Sequence, residues 1–197
     1  MATKGDETRQ GILAKAFELA TVGGLSGLTI GRLAEHTGLS KSGLFAHFGS
    51  KEALEVAVVE EAGRQFVHDV LVPALGKPRG EPRIMALLDN WLAWGKRPGG
   101  CFFVAASAEL DDRPGPARDA LARANKDWLD ELATAARIAQ SEGHFRPDTD
   151  PHQFAFEAYS IMLGSHFFYR FVRDPAAIER TRKAFAALLA GMRVKRR

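Results

Sequence analysis

The stretch Leu28-Thr-Ile-Gly-Arg-Leu-Ala-Glu-His-Thr-Gly-Leu-Ser-Lys-Ser-Gly-Leu-Phe-Ala-His-Phe-Gly-Ser-Lys-Glu-Ala-Leu54 decides how this chain is read. Twice within it a hydroxyl residue stands where a short helix should begin. Thr29 has an oxygen able to accept one of the free amides of a first helical turn, and Leu28 and Leu33 flank it at the two positions of a hydrophobic staple. Ser40 repeats the arrangement with Leu39 and Leu44, and Gly38 supplies the left-handed residue that stops the preceding helix. Ala34 is small enough for the two helices to approach closely, while Leu33, Leu39, Leu44 and Phe48 form an inner seam. Two short helices joined by so tight a turn read as a helix-turn-helix.

On a helical wheel at about 100° per residue, Leu44 and Phe48 share one side of the second short helix. The opposite arc holds Ser42, Gly43 and Ala46, with Lys41 and Phe45 flanking it and His47 on its other border. A helix so thin on its outer side can enter a major groove, where a short hydroxyl and a methyl group meet base edges and thymine methyls. Lys41 and Lys51 suit phosphate or guanine acceptors.

Outward from this core the pattern stays helical, and no run alternates long enough to make a strand, so the chain is expected to be all-α. A first helix is expected over 7–22, with Ile12, Leu13, Ala16, Phe17 and Ala20 on one stripe and Gly23-Gly24 as its stop. A fourth should start near Ser50-Lys51-Glu52 and run to about Leu71, before Pro73, Gly76, Pro78, Gly80 and Pro82 punctuate the chain. Further helices are expected from about Pro82 to Pro98, over 101–110 and over 117–142. The segment 152–172 is apolar almost all round, which implies burial on more than one side, and 174–192 has a single stripe from Ile178 to Met192. The domain reading is residues 1–54 for a three-helix DNA-binding part and 55–197 for a larger helical ligand-binding and dimerisation part.

Composition is compatible with this and excludes little. The 197 residues are 46% hydrophobic and 26% charged, which argues against disorder and against a membrane span. Net charge is +3, a mild excess that permits nucleic-acid binding without identifying it. Arg193, Lys195, Arg196 and Arg197 make a basic tail, more often a solvated end than a DNA-contacting arm. One cysteine, Cys101, and no apolar leader in MATKGDETRQ point to the cytoplasm.

The order Leu28-Thr29-Ile30, Gly38-Leu39-Ser40-Lys41, Leu44-Phe45-Ala46-His47-Phe48 and Ser50-Lys51-Glu52-Ala53-Leu54 resembles the signature of the TetR family of transcriptional regulators. The resemblance implies a homodimer, formed through the helices near 152–172 and 174–192, that binds double-stranded operator DNA and is released by a small molecule. It implies DNA contacts from positions matching Lys41, Ser42, Gly43, Phe45, Ala46, His47 and Lys51, with Thr29 at the start of the second helix beside them. One departure stands out. The family pattern usually has tyrosine where Phe45 stands, and a phosphate hydrogen bond from its hydroxyl is lost here, at a cost of about 1 kcal/mol.

Beyond residue 54 there is no HExxH, GxSxG, P-loop or paired Cys-x-x-Cys, so no catalytic activity and no cofactor are expected. His68, His144, His152 and His166 have no metal-ligand spacing. Cys101 follows Gly99-Gly100 at a helix start, where either a reactive thiolate or an inert packed cysteine can stand. Trp91, Trp94, Phe102, Phe103, Trp128, Phe156, Tyr159, Met162, His166 and Phe167 are candidates to line an apolar effector site, with Tyr159 and His166 as its polar anchors. Any one of them is more often plain core. Two other readings stay open: a regulator that activates or works without an effector, and an all-helical small-molecule-binding protein or enzyme that does not bind DNA.

Overall fold

The computed structural model describes residues 4–194. In chain order it forms α1 (Lys4–Gly23), α2 (Ile30–Thr37), α3 (Lys41–Phe48), α4 (Lys51–Phe66), α5 (Val72–Leu75), α6 (Glu81–Trp94), α7 (Phe102–Leu110), α8 (Pro116–Ser141), α9 (Pro151–His166) and α10 (Ala177–Met192). A π turn, Val67–Leu71, joins α4 to α5, and a second, Phe167–Val172, prolongs α9. Among the described residues the only strand-like pairing is an isolated bridge between Phe145 and Arg193. The protein is all-α, as the periodicity requires.

The helices gather into two compact units, one made of residues up to Gln65 with Pro98–Ala124, the other of Phe66–Arg97 with the chain from Asn125 onward. In the first unit α1 buries the expected stripe of Ile12, Leu13, Ala16, Phe17 and Ala20. Phe17 meets Phe102 of α7 edge to face, with ring centroids 5.6 Å apart. Leu25, Leu28, Leu33, Leu44 and Leu54 are all but fully enclosed beside them. The loop before α7 lies directly on the end of α1: Gly99 has φ +84°, and a Cβ there would stand 2.0 Å from the Thr21 carbonyl oxygen, so only glycine fits. Cys101 is buried at the start of α7, the setting of a packed cysteine.

In the second unit Phe145 of the loop after α8, Phe154 of α9 and Phe185 of α10 form a ladder of rings, with centroids 5.6 and 6.5 Å apart. Asp150 starts α9, accepting from the His152 amide at 2.8 Å, and Pro151 takes the first helical position, where no amide is needed. Glu81 at the head of α6 is held by Arg193, whose Nε donates to it at 2.8 Å. Of the basic tail, Arg193 is thus spent on an ion pair, and Lys195, Arg196 and Arg197 lie outside the described residues.

Some boundaries differ from expectation for physical reasons. Helical structure continues past Pro73 to Leu75 where a break is expected. Pro73 lacks an amide and its ring crowds the preceding turn, and the chain answers by widening that turn: the Val72 amide donates to the Val67 carbonyl, five residues back. Asn90 of α6 donates to the Val70 carbonyl within the same turn at 2.9 Å. The segment 152–172 is buried on one side only within the chain, through Phe154, Ala155, Ala158 and Met162. Phe156, Leu163, Phe167, Phe168, Tyr169, Phe171 and Val172 stay exposed.

The Arg193 hydrogen bond, opposed by burial and aided by its charge, keeps the Glu81 carboxyl below its ordinary 4.5. A carboxyl lowered in the folded state stabilises the protein fully above the unfolded value and loses that contribution as pH falls through the folded one. Glu81→Gln is therefore expected to flatten the acid limb of thermal stability below pH 4.5, and superimposable limbs for the two proteins would contradict this.

Candidate nucleic-acid interface

The residues from Thr29 to Phe48 form the paired short helices that their order suggests. Thr29 is extended, with φ −119° and ψ 152°, and its Oγ1 accepts from the Arg32 amide at 3.1 Å. Gly38 ends α2 in the left-handed region at φ 68°, its amide donating to the Ala34 carbonyl at 2.9 Å. Two residues later Ser40 caps α3, accepting from the Gly43 amide at 3.1 Å. A side chain at Gly43 would put its Cβ 3.2 Å from the Ser40 hydroxyl, so the glycine keeps the cap uncrowded. Leu33, Leu44 and Phe48 are buried in the seam and Leu39 is half-buried. Arg9 of α1 stands over the Phe48 ring, 5.3 Å from its centroid.

The opposite side of α3 is open. Lys41, Ser42, Phe45 and Ala46 are exposed, Gly43 and His47 half-buried, and Thr29 and Lys51 exposed at its margins. Phe45 leaves 48% of its surface uncovered, a large apolar ring on a face otherwise made of small and basic groups. The Ser42 hydroxyl lies 3.1 Å from that of Ser40, so the cap partly orients it. The Lys41 chain lies toward the start of α2, with Cε 3.8 Å from where a Gly31 Cβ would be. Lys51 pairs with Glu55 at 3.4 Å across one turn of α4, an exposed pair that is readily exchanged. Arg32 is committed to the loop, donating to the Gly27 carbonyl at 3.0 Å.

The effector-site candidates divide between the units. Phe102 and Phe103 belong to the first, where they pack edge to face with centroids 5.6 Å apart. In the second, Trp94 and Trp128 meet on Phe66, with centroids 5.3 and 5.1 Å from it. Phe66, the last residue of α4, carries no sequence signal that separates it from plain core. Trp91 and Met162 are also buried there. Tyr159 donates to the side-chain oxygen of Asn125 at 3.1 Å. His166 is half-buried, and burial, aided by the Arg170 charge, pushes its pKa down. Phe167 and Phe156 stand apart from the buried rings, exposed by 50% and 66%. No group of three or more metal-ligating side chains comes together among the described residues, and no helix among them is long and apolar enough to cross a membrane.

Comparison with known proteins gives two family matches. Residues 12–58 match the model described as bacterial regulatory proteins, tetR family, and residues 80–185, more than half of the chain, match that described as tetracyclin repressor-like, C-terminal domain. No curated protein matches. A TetR transcriptional regulator from Chloroflexus aurantiacus is similar, with 27% identity, a TM-score of 0.86, and coverage of 98% of this chain and 99% of that one. A TetR-family regulator from Cytophaga hutchinsonii shares the fold at 23% identity, with a TM-score of 0.90 and 100% coverage of both chains. A Saccharomonospora viridis protein solved in complex with choline shares it at 18% identity, with a TM-score of 0.82 and coverage of 96% of this chain and 99% of that one.

The Ser40 cap sets where α3 begins. Ser40→Ala is expected to cost about 1 kcal/mol in denaturant unfolding, and a cost near zero would mean that the hydroxyl does not hold the helix start.

Proposed function

We propose, since this chain belongs to the TetR family of bacterial transcriptional regulators, that it is a repressor whose dimer sets two copies of α3 in a near-palindromic operator and is released by a small, largely apolar effector. The observation on which this reading rests is the bare outer side of α3, backed by a closed seam. Ser42 and Ala46 reach base edges; Gly43 lets the backbone approach; Lys41, Lys51 and Thr29 meet phosphates; Phe45 and His47 border the contact.

The exposed apolar strip of Phe156, Leu163, Phe167, Phe168, Phe171 and Val172 supports self-association through α9, its π turn and α10. Phe167 and Phe171 stack with centroids 5.4 Å apart, so the strip is ordered by its own contacts. A two-fold dimer presents its recognition helices about 34 Å apart, one turn of DNA, and so demands symmetric half-sites. An effector that favours another spacing by a few kcal/mol changes operator affinity by roughly 100-fold.

The effector is assigned to the second unit, at the rings of Phe66, Trp94 and Trp128 with Tyr159, Met162 and His166. These rings favour an apolar body, and the buried Trp128 Nε1, which has no acceptor among the described residues, favours a ligand with a hydrogen-bond acceptor. A quaternary ammonium such as the choline of the Saccharomonospora protein suits this chain less well. The Arg97 guanidinium already stands over the Trp94 ring, 3.9 Å from its centroid, and would repel a second cation.

Selection from random duplex DNA tests the reading: enrichment of a palindrome supports it, and no enrichment contradicts it. On a selected operator, Lys51→Ala is expected to weaken all sequences alike and lower the salt slope by about 1, whereas Ser42→Ala shifts base preference. Equal effects from the two changes would refute that division. Phe171→Asp is expected to yield a monomer in sedimentation experiments, and an unchanged dimer would move the interface elsewhere.

A further inference from the structure

Glu109, on α7, lies within the segment matched by the C-terminal family model but is bonded to the loop between α1 and α2, within the segment matched by the N-terminal one. Its Oε2 accepts from the Leu25 amide at 2.9 Å and its Oε1 from the Ser26 amide. One carboxylate thus takes two successive backbone amides, which fixes the orientation of the peptide between them. The loop is shaped to receive it. Gly24 has φ +76°, and a Cβ there would stand 2.8 Å from Glu109 Oε2, so a side chain would push the carboxylate away. Arg113, one turn further along, donates to the Ser26 hydroxyl at 2.5 Å and lies 3.8 Å from the Glu109 carboxylate.

Three further contacts make this loop a rigid step. Leu25 and Leu28 are buried on either side of the clamped peptide. The Leu28 amide donates to the Leu25 carbonyl at 3.0 Å, and Arg32 of α2 donates to Gly27 at 3.0 Å. The next residue, Thr29, is the cap of α2. From Glu109 to the start of α2 there is therefore no unanchored residue, and α2 carries α3 through the Gly38 turn.

We propose that Glu109 is a positioning residue for DNA binding: through the Leu25 and Ser26 amides it holds the α1–α2 turn, and hence the helix pair, in the pose that docks on the operator. It touches no DNA itself. The proposal rests on the repressor reading above and adds the residue by which a helix of the C-terminal family segment fixes the DNA-reading one.

The test compares Glu109→Gln with Leu110→Ala, which removes a buried neighbour on the same helix while keeping the Glu109 hydrogen bonds to the turn. Glutamine keeps one acceptor, but its amide group faces the second backbone N–H with a donor. Both full-length variants are measured by thermal unfolding and by titration with an operator selected on the wild-type protein. Glu109→Gln is expected to lose about tenfold in operator affinity, the factor carried by one hydrogen bond to a charged group, with the smaller fall in Tm. Leu110→Ala is expected to show the larger fall in Tm and, at a temperature where it is folded, operator affinity within about twofold of wild type. Unchanged operator binding by Glu109→Gln, or affinity losses in both variants that track their Tm values, would overturn the positioning role. Failure of the wild type to select an operator would instead remove the repressor reading, so the two failures are separable.

Discussion

The arrangement depends first on how α2 and α3 are held against each other. A single residue at positive φ, Gly38, turns the chain between them, and the two caps on Thr29 and Ser40 decide where each helix starts. Each helix is only eight residues long, too short to be stable alone. Their stability comes from the seam, in which Leu33 and Leu44 are wholly enclosed and Phe48 nearly so. Because every large apolar group of α3 except Phe45 is committed to that seam, the other side is left small and polar. The bare face and the packed face are consequences of one constraint, since a shift of α3 by one residue would bring Gly43 and His47, or Phe45, to the seam and expose a leucine.

That pair would be of little use if it could rock on the rest of the protein. Within the first unit it is braced from two directions: by α1, through the Arg9–Phe48 contact, and by α7, which meets α1 through the Phe17–Phe102 contact and the α1–α2 turn through the Glu109 carboxylate. The Gly99 loop, pressed on the Thr21 carbonyl, adds a third point of support where no side chain fits. In the second unit the cohesion is different. Rings from α9, α10 and the loop after α8 interlock, while the outward side of α9 and its π turn keeps a strip of apolar residues uncovered.

What could be read from sequence follows from range. The caps, the staples, the Gly38 turn and the stripe on α1 are set by residues within a few positions of one another, and all appear where spacing puts them. Pro73 misled for a related reason: the rule that proline ends a helix assumes an α turn before it, and a π turn removes the conflict. Glu109 gave no signal, because its partners lie 84 and 83 residues away and a lone acid on a short helix reads as solvated. The aromatic residues were recognisable as a set but not as groups, so Phe102 and Phe103 fall in a different unit from Trp94 and Trp128. The apolar run 152–172 implies burial on more than one side, and the chain itself covers only one. Periodicity could not tell which side the chain covers itself.

The bare side of α3 can be tested directly through the alanine methyl groups, which lie at informative depths. Ala46 is exposed on that side, whereas Ala16 and Ala20 are buried in α1 behind it. In methyl spectra of the alanine-labelled protein titrated with its selected operator, a large shift and loss of solvent contact are expected at Ala46, with Ala16 and Ala20 nearly unmoved. An Ala46 signal that does not respond to saturating operator DNA would contradict this.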